Sequence, residues 1–480
     1  MFGLMEITGQ LDEATKLAII PTVVLPFTII GMILTSVATW VAAFFGVELK
    51  AEGPKRLFEV LMKPKVLLLA LASNLIVYGA IKGGRYIYDG PYPLWWVQLQ
   101  NSSPKASDRN YENAIAGNLS SSVKDTQGKS HNLEVIWELP LKSAIFGSPL
   151  VKGDSLFAGL DQGRIIEIDL SKGEVVRHFE IGKPVMVSPI VSDNRIFAGE
   201  GTHLTHNARL YSFDLKSGKF LGAFATGGHI ERAGVLAKSQ DQDLLLFPAG
   251  KDGLYAINPE TMGKLWQASL GHIDSVPATD GERAYVGSGL EAGFEETPTK
   301  VFAVSLQSGK TLWEKALPTS SWGIPVLWEN IVCFSIGDVN KNTHYGQLTC
   351  YQKDNGQEYF SFNTTGALIS KPIVLGDHLL VADLFGKIYQ FDLKNRKLEW
   401  ALQVPTTGAS YASVVIDSQD RILLPGTEGL YIYSRANQSL LSVWKPAGKW
   451  SGTYTNIVPY KDLLLLADRS GVLRALRFQN

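Results

Sequence analysis

Residues 272–318 read HIDSVPATDGERAYVGSGLEAGFEETPTKVFAVSLQSGKTLWEKALP. Four short runs are expected to be strands: Ser275–Ala278, Arg283–Gly287, Lys300–Ser305 and Thr311–Ala316. Thr279-Asp280-Gly281 closes the first, a polar loop follows the second, and Gln307-Ser308-Gly309 turns the third into the fourth. Short runs rich in Val, Tyr, Phe and Trp between Gly/Asp/Ser turns form an antiparallel meander. Such a unit cannot bury both faces alone, so it predicts neighbours of its own kind.

The neighbours are present. Versions of the first strand recur near Pro149, Pro189, Gly234, Pro277, Pro325, Pro372, Ser413 and Asn456, in steps of 40, 45, 43, 48, 47, 41 and 43 residues. Four strands repeated in the forties are propeller blades, here eight. The corner between third and fourth strands recurs too, with a short polar residue followed eight positions later by an aromatic. Asn258 leads to Trp266, Ser305 to Trp313, Gln352 to Phe360 and Asp392 to Trp400. Asp169 and Asp214 begin the same corner but end on Arg177 and Gly222. The polar residue suits the turn because its side chain bonds backbone two residues on. The tryptophans are expected to cover the seam with the next blade. The last unit, 449–480, supplies only three strands, and EVIWELP at Glu134–Pro140 precedes the first unit, with Trp137 matching Trp313. Pairing the two ends closes the ring and removes the open sheet edges.

The segments GLYAINPETMGKLW (253–266), KVFAVSLQSGKTLW (300–313) and GKIYQFDLKNRKLEW (386–400), with the first strands SPLV, SPIV and KPIV, resemble PQQ-type propeller repeats over about 131–480. Within that group the chain is similar to the non-catalytic BamB-like propellers. The resemblance implies the fold, and for function a protein-docking role. The other branch, quinoprotein dehydrogenases, would bring PQQ and calcium as cofactors. Against it stand the missing Cys-Cys pair, the lack of long insertions and the lack of an assignable Glu/Asn/Asp set. No cofactor is therefore expected. The chain departs from the BamB pattern in having no lipobox cysteine, its first cysteine being Cys333.

A hairpin replaces that anchor in this reading. Residues 17–47 carry no charge and exceed the ~20 residues needed to span a bilayer. A second apolar run, 66–81, lies between Lys65 and Lys82 and spans with snorkelling lysines, or is interfacial or re-entrant. The 48–65 connection is basic and belongs in the cytoplasm, which puts the 1–16 segment and the propeller outside. The hairpin as a whole is 17–82. Residues 83–99 follow, where Tyr86, Tyr88, Tyr92, Trp95 and Trp96 suit a membrane–water boundary or pack against the propeller or a partner. Residues 100–132, rich in Ser, Asn, Lys and Gly, read as a flexible tether to the propeller at 133–480.

The second-to-third and fourth-to-first connections of a blade share one face. The long ones are 199–208, 288–299 and 337–346, in units two, four and five. Loops on a rigid scaffold are where binding sits. This makes Glu200, Glu291, Glu295, Glu296, Asp338, Lys341 and His344 a candidate interaction face. The same face collects His203, His206, His229 and His272, which with Glu200, Glu231 and Asp274 form a candidate metal set, the alternative being solvated loop histidines. Cys333 and Cys350 fall on the second and third strands of unit five and form a disulfide or remain two buried thiols. There is no G-x-S-x-G elbow, P-loop or dinucleotide fingerprint, and a net charge of −1 argues against general nucleic-acid attraction. The expected protein is a scaffold in the bacterial inner membrane with its propeller in the periplasm. Its partners would be envelope proteins and the bilayer; a PQQ-dependent dehydrogenase or an envelope sensor are the alternatives.

Overall fold

In the stretch quoted above, the last three strands fall at Arg283–Gly287, Lys300–Ser305 and Thr311–Ala316, and the first is shorter, Ala278–Thr279. Pro277 has no N–H to give a ladder, so regular pairing starts after it. The computed structural model describes residues 92–102, 131–202, 205, 207–290, 298–340, 343–406, 411–448 and 450–479. Among these, thirty-two strands form eight four-stranded sheets, seven of them simple meanders. Blades one to seven occupy 150–180, 190–225, 235–268, 278–316, 326–364, 373–403 and 415–444. Blade eight takes three strands from 458–478 and its outer strand from Leu133–Pro140.

That closure is antiparallel, with Leu133 opposite Phe478 and Trp137 opposite Ala475. It leaves the ring without an open end. Near the centre, adjacent first strands are also joined by side chains. The Lys371 N–H donates to Ser413 Oγ (2.9 Å), the Ser413 N–H to Asn456 Oδ1 (2.7 Å), and the Asn456 N–H to Ser148 Oγ (3.0 Å). These bonds run through blades six, seven, eight and one, and satisfy backbone groups that the short inner strands leave unpaired.

The seams follow a size rule. Trp137, Trp266 and Trp313 are buried, and each donates its indole N–H to a carbonyl of the next blade, at Leu170 (3.1 Å), Leu306 (2.8 Å) and Lys353 (2.8 Å). Each ring lies on a glycine of that blade's last turn. A Cβ on Gly173, Gly309 or Gly356 would fall 2.6, 2.6 or 2.7 Å from the indole. All three glycines also have positive φ, which costs L-residues energy. Where blade two closes on Gly222, the equivalent turn position of blade three carries buried Met262 facing it. Where blade one closes on Arg177, its guanidinium donates to the Leu215 and Lys216 carbonyls. Trp400 is only half-buried, and the facing turn position is Gln438 rather than glycine.

A short helix, α1 (Leu94–Gln100), packs against blades one and two beside their 181–183 connection. Val97 is fully buried, and Asn101 just beyond the helix bonds both backbone groups of Glu180, at 2.9 and 3.0 Å. Tyr92 stacks on Trp96, and Arg209 donates to the Tyr92 carbonyl at 2.6 Å. Tyr92 and Trp96 thus take the packing role that was one alternative for this segment. Leu94, Trp95 and Leu99 face away, Trp95 being 67% exposed. Asn101, His131 and Asn132 are buried, so the ends of the expected tether belong to the propeller. Among the described residues no helix is long and apolar enough to cross a membrane. The expected spans at 17–47 and 66–81, the 48–65 loop, Tyr86 and Tyr88 all lie outside the described residues.

Candidate functional site on the long-loop face

The stems of the long loops meet the fourth-to-first connections. Gly201 N–H donates to the Pro184 carbonyl, Gly289 N–H to His272, and Gly337 N–H to Ser320, at 2.9, 2.9 and 2.8 Å. Loops from blades two, four and five are therefore rooted in the blade-to-blade connections of one face.

His229 and His272 occupy matching places in successive connections, five residues before Gly234 and Pro277. The apolar residue after each, Ile230 and Ile273, is buried and fixes the connection against the blade core. This turns both imidazoles toward Asp274. His229 Nε2 lies 3.1 Å from Asp274 Oδ1 and His272 Nε2 2.7 Å from Oδ2, with all three residues buried. Gly250 makes room, since a Cβ there would fall 2.8 Å from the His229 ring. Trp322 closes the other side, edge-on to His272 at 6.2 Å. Burial opposes a charge on Asp274, yet the hydrogen bonds and charge of His229 and His272 hold its carboxyl well below the usual range.

Glu200 and Asp338 correct the sequence expectation. Both were expected on an exposed interaction face, and both are buried, at 1% and 3%. Each directly follows a second strand, Arg195–Gly199 or Ile331–Gly337, and is covered there despite opening the loop. Glu200 accepts the Tyr211 hydroxyl at 2.8 Å, and Asp338 accepts Ser320 Oγ at 2.7 Å. Burial pushes the Glu200 carboxyl up to about 8, against the Tyr211 hydrogen bond and the charges of Arg209 and Lys183. His344 is exposed and stacks on Phe385 at 4.7 Å. Glu231 is half-buried and has no place in the His229–His272–Asp274 group. His203, His206, Glu291, Glu295, Glu296 and Lys341 lie outside the described residues.

Cys333 and Cys350 are cross-strand partners and are joined in a disulfide, both sulfurs inside blade five. Two polar arrangements were not legible in the sequence. One is Arg177 at its seam. The other is Arg474, buried in blade eight and paired at 2.6 Å with both Asp468 and Glu138. A lone basic residue on a strand carries no sequence signal that separates a solvated charge from such a pair.

A family described as outer membrane protein assembly factor BamB matches residues 121–270 and 297–441. The chain belongs to that family. BamB of Shewanella oneidensis is 21% identical over 284 residues, 58% of this chain and 58% of the relative. The chain thus spans a little over half the length of that curated relative. The crystal structure of BamB from Moraxella catarrhalis superposes with a TM-score of 0.56 at 13% identity, covering 72% of this chain and 98% of that one. A computationally designed protein, Ika8, gives 0.55 at 12% identity, with 70% and 97% covered. At these identities the structural likeness establishes the fold alone, and the BamB family profile carries the relationship.

Proposed function

We propose that this BamB-family chain is a non-catalytic docking propeller of a cell-envelope assembly complex, held at a membrane by its N-terminal segment with the ring on the periplasmic side. The observation that carries the reading is the family match across both halves of a ring that closes on itself. A closed ring with loops rooted on one face presents a stable surface to partners. Membrane attachment rests on the uncharged 17–47 run and on 66–81, twelve residues before α1. The outward Leu94, Trp95 and Leu99 suit a headgroup-level contact there.

The test is a photo-crosslinking residue placed at Pro298 or His344 on the long-loop face, and at Ser171 or Lys394 on the opposite face, in the full chain in its native membrane. The expected result is one envelope protein captured in near-stoichiometric yield from the first pair only. Capture from neither face, together with dye reduction that depends on added PQQ and calcium, would overturn it.

A further inference from the structure

We infer that His229, His272 and Asp274 form a site for one divalent first-row metal ion, zinc foremost, that joins the two connections entering blades three and four. Among the described residues these are the His, Cys, Asp or Glu side chains grouped closely enough for a single ion, their donor atoms all within 4.8 Å of one another. The chemistry of the set is selective. Two imidazole nitrogens and one carboxylate suit zinc, nickel or copper, whereas calcium and magnesium take oxygen ligands.

The spacing fits as well. Bonds of about 2.05 Å in a tetrahedral site place two ligand atoms about 3.3 Å apart. The His229 Nε2 to Asp274 Oδ1 distance is 3.1 Å and the His272 Nε2 to Oδ2 distance is 2.7 Å. The two rings face different oxygens of Asp274, so one ion takes the carboxylate through both oxygens or draws one ring toward the other's oxygen, and the second pair opens by about half an ångström. An ionised carboxylate only accepts, so without metal both Nε2 atoms carry hydrogen. The ion replaces those two hydrogens, and each imidazole keeps or gains one at Nδ1. Ile230 and Ile273 hold the ligands from behind, Gly250 leaves space for the His229 ring, and Trp322 borders the group. The three ligands are 2–4% exposed, so the ion would be shielded from bulk solvent, with its fourth position left for a water or a further side chain. Its effect would be to cross-link consecutive blades at the root of the long-loop face.

The test uses the full-length protein in detergent, stripped with a chelator and titrated with zinc alone and then with cobalt(II) alone. The expected result is one zinc per chain, a melting temperature that rises with free zinc, and visible cobalt bands of four- or five-coordinate intensity with nitrogen ligation. D274N, H229A and H272A should each weaken zinc uptake at least tenfold, while H378A, at a distant surface histidine, leaves it unchanged. Cobalt bands of a six-coordinate aqueous ion in the wild-type protein would overturn the site even if the variants fail to fold. So would zinc uptake that survives H229A and H272A. In either case the group is a carboxylate hydrogen-bonded between two histidines rather than a metal site. Crosslinking from Pro298 or His344 is read separately, so the docking function and the metal site stand or fall independently.

Discussion

The seam between blades three and four and the seam between blades two and three fill the same space with the partners exchanged. At the first, the outer strand supplies Trp266 and the facing turn supplies Gly309. At the second, the outer strand supplies Gly222 and the facing turn supplies Met262. One large and one small residue meet at each of these two seams, so the bulk can come from either blade, although Trp400 with Gln438 does not follow this pattern. The same rule accounts for Trp137 with Gly173 and Trp313 with Gly356. It also gives the glycines of the third-to-fourth turn a second duty beside positive φ. Met262, Arg396 and Gln438 adopt positive φ at that position without being glycine, so backbone geometry alone does not demand glycine there.

The largest predicted effect breaks this pairing directly. Trp266→Gly removes a buried indole and its bond to Leu306, and should cost about 3–5 kcal/mol in denaturant unfolding. Gly309→Met alone places a side chain into the indole, where Cβ would sit 2.6 Å away, and should cost about 1–3 kcal/mol. The double variant transplants the blade two–three arrangement and should be more stable than the sum of the two losses by about 0.5–3 kcal/mol. Strict additivity would mean that the size exchange is incidental.

The second prediction concerns a covalent link between two strands of one blade. The Cys333–Cys350 disulfide joins residues 17 apart in blade five, in an apolar cluster that also includes Leu379 and Phe391 of blade six, away from Trp266 and Gly309. Its reduction should cost about 3 kcal/mol, the scale expected for closing a loop of that length. A thermal melt with and without reductant reads the loss. Reduction should not alter the coupling between Trp266 and Gly309, because the two features share no contacts.

The third compares two buried carboxylates on the long-loop face. Asp274 is held charged by two histidines, whereas Glu200 has one tyrosine hydroxyl and is pushed up to about 8. Between the ordinary value of 4.5 and about 8, folded Glu200 holds a proton that the unfolded chain releases. Stability therefore falls as pH rises through that window, by up to about 1.4 kcal/mol per unit, and levels off above it. Glu200→Gln should flatten the fall while leaving stability near pH 5 close to wild type. Melts at a series of pH values check this, and an unchanged slope would place the titration elsewhere.

The sequence carried the blade count, the closure and the outer-strand tryptophans because all three are periodic or depend on residue type. Arg177 and Gly222 were visible only as departures from the period. What replaces a tryptophan depends on the next blade's turn, some forty residues away, and no local pattern records that. Glu200 and Asp338 misled for a related reason. An acidic residue at the junction of strand and loop reads as solvent-facing, but here it is buried just after the strand and pairs with Tyr211 or Ser320. The pairing of His229 and His272 was half-legible, since the GHI triplets recur at matching places; the way both rings turn onto Asp274 required the fold.

The smallest effect concerns the one seam that Arg177 closes, because α1 packs against the same two blades. Asn101 holds the end of the helix by bonding the N–H and the carbonyl of Glu180, three residues beyond Arg177. Asn101→Ala should leave the ring's global unfolding almost unchanged, since those two backbone groups regain water once the helix lifts. It should nevertheless lower the local opening energy of 94–100 by about 1–3 kcal/mol, read as faster amide exchange at Val97 and Gln100. If exchange in α1 instead tracks global unfolding in both proteins, the helix is a structural part of the first two blades. It then compensates there for the absent tryptophan, and the seam rule extends to an element outside the repeats. If α1 opens first, as predicted, the Arg177 seam is complete by itself. The helix is then a detachable contact whose outward Leu94, Trp95 and Leu99 are free to take a second surface without loosening the ring.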